Sequence, residues 1–459
     1  MTVESRDVVV VGGGISGLAA AFELQKRGLA PLVLESAPRP GGVILTERFD
    51  GWTIDAGPDS MLVQKPAAVS LCRELGIGDR LHPTLPPRTA YVLRDGRLHP
   101  LMEGSAFGFP IRVAPLVTST LFSWSGKLRM AMELAVPRRT AREDESIASF
   151  VRRRFGEEAV DYLAEPLLAG IHAGDVDRLS TRALFPRLAE AERTSGSVIR
   201  AFRALHVKPS DQGAFVSLPG GTMELVDAVV AALAPGALRM SSRASDLRRA
   251  GEFVIDTPGG SIRARCVILA LPAYAAAGLL RSINTTLAGL CETIPYASTA
   301  TVALGYRREQ VQHALNGSGF VVPRAEQSPL LASTWVSSKW PGRAPEGHVL
   351  IRAFLGGGRD PHRLERSDDE LIDTAREALT EILDVNGDPV FPPRIYRWTR
   401  QSPQFEVGHL QRIAAIEASL ASVPGLFVSG SGFRAIGIPD CIQDGRDTAA
   451  RAAQFLAAK

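Results

Sequence analysis

The chain has 459 residues, enough for two or three domains at roughly 100–200 residues each, and its 45% hydrophobic and 22% charged content is that of a folded protein. With 52 basic against 49 acidic residues, the net charge of +3 gives no field for a polyanion and excludes nucleic acid as a partner, while still suiting an anionic small molecule. Cys72, Cys266, Cys291 and Cys441 lack the spacing of a zinc site, the first residues lack a signal-peptide layout, and the uncharged runs 113–126 and 266–280 are shorter than the ~18–20 residues of a membrane span.

In chain order, residues 7–11 form an apolar β-branched run, followed by glycines, an alanine-rich helical stretch to Arg27 and a second strand over 32–35. This is a βαβ opening. From about 105 to 205 the pattern becomes long amphipathic stretches broken by Pro110, Pro115, Pro137 and Pro166, which predicts a helical insertion. Residues 206–213 have loop composition, and Pro219 to Thr222 lead into a helix over 223–233. Short strands over 244–272 end in a buried run at Cys266 to Pro272. Residues 295–395 alternate apolar and polar positions, as expected of a second, more antiparallel sheet. The last segment, from Gly425 through a helix starting near Asp440, returns to strand-turn-helix order.

The sequence Gly12-Gly13-Gly14-Ile15-Ser16-Gly17 follows the first strand and opens the first helix. In such a Gly-x-Gly-x-x-Gly turn the glycines allow a tight bend, close approach of a pyrophosphate and packing of helix on strand, with the helix N-terminus facing the phosphates. Glu35 ends the next strand, where an acid binds ribose hydroxyls. These residues alone admit NAD(P) as well as FAD. The continuation Arg39-Pro40-Gly41-Gly42 resembles the Glu-x-x-x-Arg-x-Gly-Gly run of FAD-dependent amine-oxidase-type flavoproteins. Two further segments fit a flavin site: the loop Asp55 to Ser60, and Gly430 to Ile442, which brings a second helix N-terminus toward the diphosphate.

Taken together, Gly57 to Ser60, Glu165 to Asp175, Leu179-Ser180, Arg397-Trp398 with Pro403 to Phe405, Gly408-His409 and Gly437 to Ile442 resemble the protoporphyrinogen/coproporphyrinogen oxidase family along essentially the whole chain. The stretches Ser333 to Trp335, Lys339 to Pro341 and Leu350 to Leu355 look most like its bacterial coproporphyrinogen III oxidase branch. The resemblance implies an α/β fold: a Rossmann-type FAD-binding domain (1–55, 208–280, 396–459), a mixed-sheet substrate domain (56–100, 281–395) and a helical substrate-lining or membrane-facing insertion (101–207). It implies FAD contacts from Gly12, Gly13, Gly14, Ile15, Ser16, Gly17, Glu35, Ser36, Arg39, Gly42, Val43, Gly57, Pro58, Asp59, Ser60, Ala244 by its backbone, Trp398, Ile436, Gly437 and Ile438. Gly170, His172 and Leu355 are its substrate-pocket residues, and no metal is implied. No catalytic residue is assigned.

The activity implied is oxygen-dependent, six-electron oxidation of a porphyrinogen in haem biosynthesis, coproporphyrinogen III before protoporphyrinogen IX, with porphyrinogen and O2 as partners in the cytoplasm. A peripheral contact with the inner face of the cell membrane and contacts with other haem-pathway enzymes are compatible with it. Other amine-oxidase-type oxidases or desaturases, and a non-catalytic flavin-fold binding protein, are the alternatives. His172 departs from the family's aromatic residue and reads either as a packing replacement or as a base. Arg138-Arg139 and Arg152 to Arg154 read as solvated helix faces rather than a carboxylate rim. The apolar and basic stretch 106–139 reads as packing or as a membrane-facing surface.

Overall fold

The computed structural model describes residues 4–102, 109, 113–140, 143–204 and 213–458. The loop expected at 206–212, and Ala106, Phe107 and Pro110, lie outside the described residues. The chain begins with β1 (Glu4–Val11), α1 (Ile15–Lys26) and β2 (Leu32–Leu34), with β1 and β2 parallel. β1 is a continuous apolar run because both of its faces are covered. Val8 and Val10 join one core with α1, Met223–Ala232 and the C-terminal helix Ile438–Ala457, while Val9 and Val11 join a second core with Ala273–Leu280, Thr285–Glu292 and His409–Leu420. On the other side of β1 runs Gly260–Leu269, in parallel register from Glu4↔Ile262 to Val11↔Leu269. That long strand serves two further partners: its first half pairs antiparallel with Glu252–Thr257, and residues 267–269 pair parallel with Leu426–Val428.

The second seven-stranded sheet runs in the order Arg394–Pro403, Tyr296–Arg307, His348–Gly356, Leu330–Trp335, Gly319–Val321, Ala90–Arg94, Arg97–Pro100. All neighbours are antiparallel except Gly319–Val321 with Ala90–Arg94. The strand Arg394–Pro403 crosses the expected boundary at 395/396 and stays in this sheet, because it pairs with Tyr296–Arg307 from Pro403↔Tyr296 to Arg394↔Ala303.

Among the described residues, 113–204 contain helices and no strand. Phe109, Leu121 and Phe122 are buried in this insertion's own core, whereas Trp124, Leu128 and Met132 follow one another at helical four-residue spacing and are exposed. Val160–Ala169 is a ten-residue π-helix containing Pro166; it runs into the 3-10 turn Gly170–His172, and Ala173 closes the turn at φ 49°. No helix among the described residues is long and apolar enough to cross a membrane.

Candidate flavin and substrate site

The glycine loop is shaped by contacts that exclude side chains. Gly12 has φ 110° and a Cβ there would lie 2.3 Å from the Ala270 carbonyl oxygen; at Gly17 it would lie 2.0 Å from that of Gly12. At Gly14 nothing lies within 4 Å of the Cβ position, so the space beside that backbone is left to a ligand. Gly14 also caps α1, placing the opening at a helix N-terminus with no acidic residue in its first turn. Ile15, Ser16 and Gly17 are buried beneath it.

Glu35 is buried, and its carboxylate ties the loop to β2. Oε2 accepts the Gly13 N–H at 2.7 Å, and Oε1 accepts from Ala37 N–H at 2.7 Å and Ser36 Oγ at 3.3 Å. Oε2, with one acceptor site used, retains a lone pair for a ribose hydroxyl. Ser242 N–H bonds to the Glu35 carbonyl at 2.8 Å, which brings Ala244 to the same edge. Arg39 shapes this site rather than reaching out of it, since its guanidinium donates to the carbonyls of Pro40 (3.1 Å), Gly42 (2.7 Å) and Ile44 (3.0 Å). Burial lowers its pKa and Glu35 partly offsets that. The Gly41 N–H reaches the Gly13 carbonyl at 2.8 Å, so the two glycine loops are joined by backbone.

The loop 55–60 lies against Val43, whose carbonyl oxygen is 2.0 Å from where a Cβ of Gly57 would stand. Its carbonyls are gripped by the second sheet: Arg352 Nη1 donates to those of Asp55 and Gly57, and Trp398 Nε1 donates to that of Ala56 at 3.1 Å. Asp59 accepts from Ser60 Oγ at 2.9 Å and points into a buried cluster. Lys339 Nζ lies 2.9 Å from its Oδ2 and Arg352 Nη2 3.4 Å, while Arg343 and Asp55, both fully buried, are 3.1 Å apart. Burial alone would raise the Asp59 pKa, but Lys339 and Arg352 hold it well below the ordinary carboxylate range. Three cations thus face two carboxylates behind this loop. Asp59 is the counter-ion of Lys339 and Arg352. Lys339 and Arg352 stood only within sequence stretches of family likeness and Arg343 not at all; their signal is a cation inside an otherwise apolar segment.

At the C-terminal end, Gly437 caps Ile438–Ala457. Asp444 in that helix accepts the Gly430 N–H at 2.7 Å and Ser429 Oγ at 2.8 Å, fixing the turn that precedes Ile436. The helix packs directly on α1, for a Cβ at Gly445 would lie 2.3 Å from the Ser16 carbonyl oxygen. Gly445 lies about two turns into that helix and Ser16 in the first turn of α1, so the two helices touch near their N-terminal ends. Two helix N-termini, an open glycine and a buried ribose-binding acid fit the diphosphate and ribose of FAD.

The turn 170–173 is held from the second sheet. The His172 carbonyl accepts from Ser402 Oγ at 2.9 Å and Gln404 Nε2 at 3.0 Å, and that of Ala173 from Gly358 N–H at 2.7 Å. Gly170 leaves room, with only the Glu165 carbonyl oxygen, at 3.6 Å, near its Cβ position. Lys65 and Asp440, paired at 2.6 Å, are the charges felt at the His172 ring. Leu355 is elsewhere. Strand alternation turns it, with Val349, Ile351 and Ala353, into the core under Asp368–Leu383, while Arg352 and Phe354 take the opposite face. Phe354, its ring 5.1 Å from the Arg352 guanidinium, is the side chain on the flavin-loop face.

The run Arg152 to Arg154 differs from a solvated face, while Arg138 is exposed. Arg152 pairs with Glu157 outside, Arg153 is half-buried between Glu145 and Glu192, and Arg154 is fully buried against Glu133. An open cleft of about 870 Å³ in the insertion, lined by Arg138, Arg187 and Glu190 among others, shares no residue with the flavin loops.

Residues 15–453 match the model of the flavin-containing amine oxidoreductases. The chain is 36% identical to the coproporphyrinogen III oxidase of Bacillus subtilis (strain 168), across 99% of this chain and 100% of that protein. It is 29% identical to the chloroplastic protoporphyrinogen oxidase 1 of Arabidopsis thaliana, across 99% of this chain and 89% of the relative. A crystal structure from Exiguobacterium sp. 255-15, provisionally named a protoporphyrinogen oxidase, superposes with a TM-score of 0.88 at 30% identity, covering 99% of this chain and 100% of that one.

Proposed function

This chain belongs to the flavin-containing amine oxidoreductase family and holds FAD, and from that premise we propose that it is a porphyrinogen oxidase of haem biosynthesis, with coproporphyrinogen III the favoured substrate and protoporphyrinogen IX the second. The observation that carries this reading is the end-to-end likeness to the Bacillus enzyme, supported by a turn at 170–173 that Ser402 and Gln404 clamp. Bound FAD supplies the acceptor for one hydride in each of three two-electron rounds, with O2 as the terminal oxidant.

The chain's own residues bind and orient. The backbone at Gly14 and the first turns of the two helices hold the diphosphate, and Glu35 holds the ribose. Arg352 and Trp398 fix the carbonyls of the loop 55–57, so that its remaining groups stand in one position against the ring system. Gly170 and His172, with Phe354 on the facing sheet, line the place of the tetrapyrrole. The partners are the porphyrinogen and O2 in the cytoplasm, and the exposed row Trp124, Leu128, Met132 is the surface for a peripheral contact with the membrane or with a neighbouring enzyme of the pathway.

The test is to purify the protein, measure its flavin absorbance, and follow porphyrin fluorescence with coproporphyrinogen III and protoporphyrinogen IX in separate assays. A faster gain with the first is expected. A yellow protein that gives no gain with either would end the reading.

A further inference from the structure

The two ring nitrogens of His172 meet different surroundings. Nδ1 is sealed from solvent and has no hydrogen-bond partner among the described residues. Nε2 makes no hydrogen bond among them either, but it is not sealed. The backbone has little freedom to relieve this, because the His172 and Ala173 carbonyls are both tied to the second sheet and Ala173 sits at φ 49°. The Phe185 ring, 6.0 Å away and edge-on, closes one side.

A neutral imidazole has one proton to place. On Nδ1 it would make a buried N–H without an acceptor, among the rarest groups in folded proteins; on Nε2 it leaves only an unused lone pair behind. A charged ring would need both protons. Burial opposes that first and the Lys65 ammonium second, with Asp440 offsetting them only in part, and the pKa is held down to about 4. Phe185 beside the ring, and Ser402 and Gln404 on the His172 carbonyl, carry no charge. The ring is therefore neutral across the physiological range.

We infer that His172 presents its Nε2–H as a neutral hydrogen-bond donor to a carboxylate of the substrate and takes no proton during the oxidation. This rests on the porphyrinogen reading above. An N–H donor needs an acceptor, and because the pyrrole nitrogens of a porphyrinogen are themselves N–H donors, the acceptors it offers are its side-chain carboxylates. A histidine at this position keeps the planar ring of the aromatic residue that the family resemblance leads one to expect and adds a donor to it.

The test compares His172→Phe and His172→Gln in the FAD-bound enzyme. Coproporphyrin III binding should weaken, and KM for coproporphyrinogen III rise, about tenfold in the Phe variant with kcat changed by less than about twofold; the Gln variant, which keeps an N–H, should recover most of the loss. The shape of the pH profile between about pH 5.5 and 8 should be the same in all three, and 15N NMR of the wild type should show an Nε2-protonated ring that does not titrate over that interval. A fall in kcat with loss of a pH limb in both variants would make His172 a base and overturn the inference. So would unchanged porphyrin binding in the Phe variant. Failure of the wild type to turn over any porphyrinogen would instead defeat the functional reading, and the inference with it.

Discussion

The nucleotide end of the molecule and the wall that faces it are built on different principles. At Gly12 to Gly17 the working groups are backbone N–H groups and the absence of side chains, and the turn is shaped from close by, by Leu34, Glu35, Gly41 and Ala270. Behind the loop 55–60 the working groups are long side chains: Arg352 reaches the Asp55 carbonyl from 297 positions away, and Lys339 reaches Asp59 from 280. A backbone site is specified locally and tolerates no added atom. A side-chain cluster is specified by the fold and fails when one charge loses its counterpart. The largest effect should follow from breaking the first rule. Gly12→Ala puts a Cβ 2.3 Å from a carbonyl oxygen at a φ of 110°, so FAD affinity should fall at least about 100-fold, and the purified protein should be colourless while its far-UV circular dichroism stays that of the wild type. A yellow Gly12→Ala protein would mean that the loop does not set the cofactor site.

The second rule is broken with Asp55→Asn. The amide keeps Oδ1, which accepts from Thr46 Oγ1 at 2.6 Å and the Thr222 N–H at 2.9 Å, but sets an NH2 group against Arg343 Nη1 where the carboxylate oxygen stood at 3.1 Å. Arg343 is fully buried and is left with Asp59 as a shared counter-ion. Removing one partner of a buried pair costs about 3–5 kcal/mol, so urea denaturation should show a loss of that size, with FAD bound to the fraction that remains folded. A variant as stable as the wild type that has lost its flavin would reverse the comparison.

The same contrast explains what the amino-acid sequence made legible. The βαβ opening, the helical insertion, the second sheet and the Gly12 to Gly42 signature are local patterns of two-residue, helical or glycine spacing, and they lie where those spacings put them. Leu355 was named because family likeness marked a stretch, while strand alternation decides which face each residue takes, and it puts Leu355 in the core and Phe354 on the face of Arg352. Arg152, Arg153 and Arg154 read as one solvated run, yet successive helix positions point about 100° apart, and only the fold reveals that Arg154 meets Glu133 in the interior. The charge on Asp59 is likewise visible in the sequence, but its partners at 339 and 352 are brought to it only by the second sheet.

Trp398 belongs to both regions, and it gives the smallest and most discriminating effect. Its indole N–H holds the Ala56 carbonyl at 3.1 Å, and its ring edge lies 3.6 Å from the Cβ position of Gly57, so a side chain of the wall restrains the backbone of the flavin loop. Trp398→Phe removes that one hydrogen bond and the edge of the indole while Arg352 still grips the carbonyls on either side. The stability loss should be about 1 kcal/mol, and FAD affinity should fall about fivefold, measured by titrating the apoprotein with FAD and following flavin fluorescence. If affinity falls while stability is unchanged, the indole acts on the cofactor directly. If both fall as far as in Asp55→Asn, the loop depends on Trp398 as heavily as on the buried charges, and the two regions are one cooperative unit.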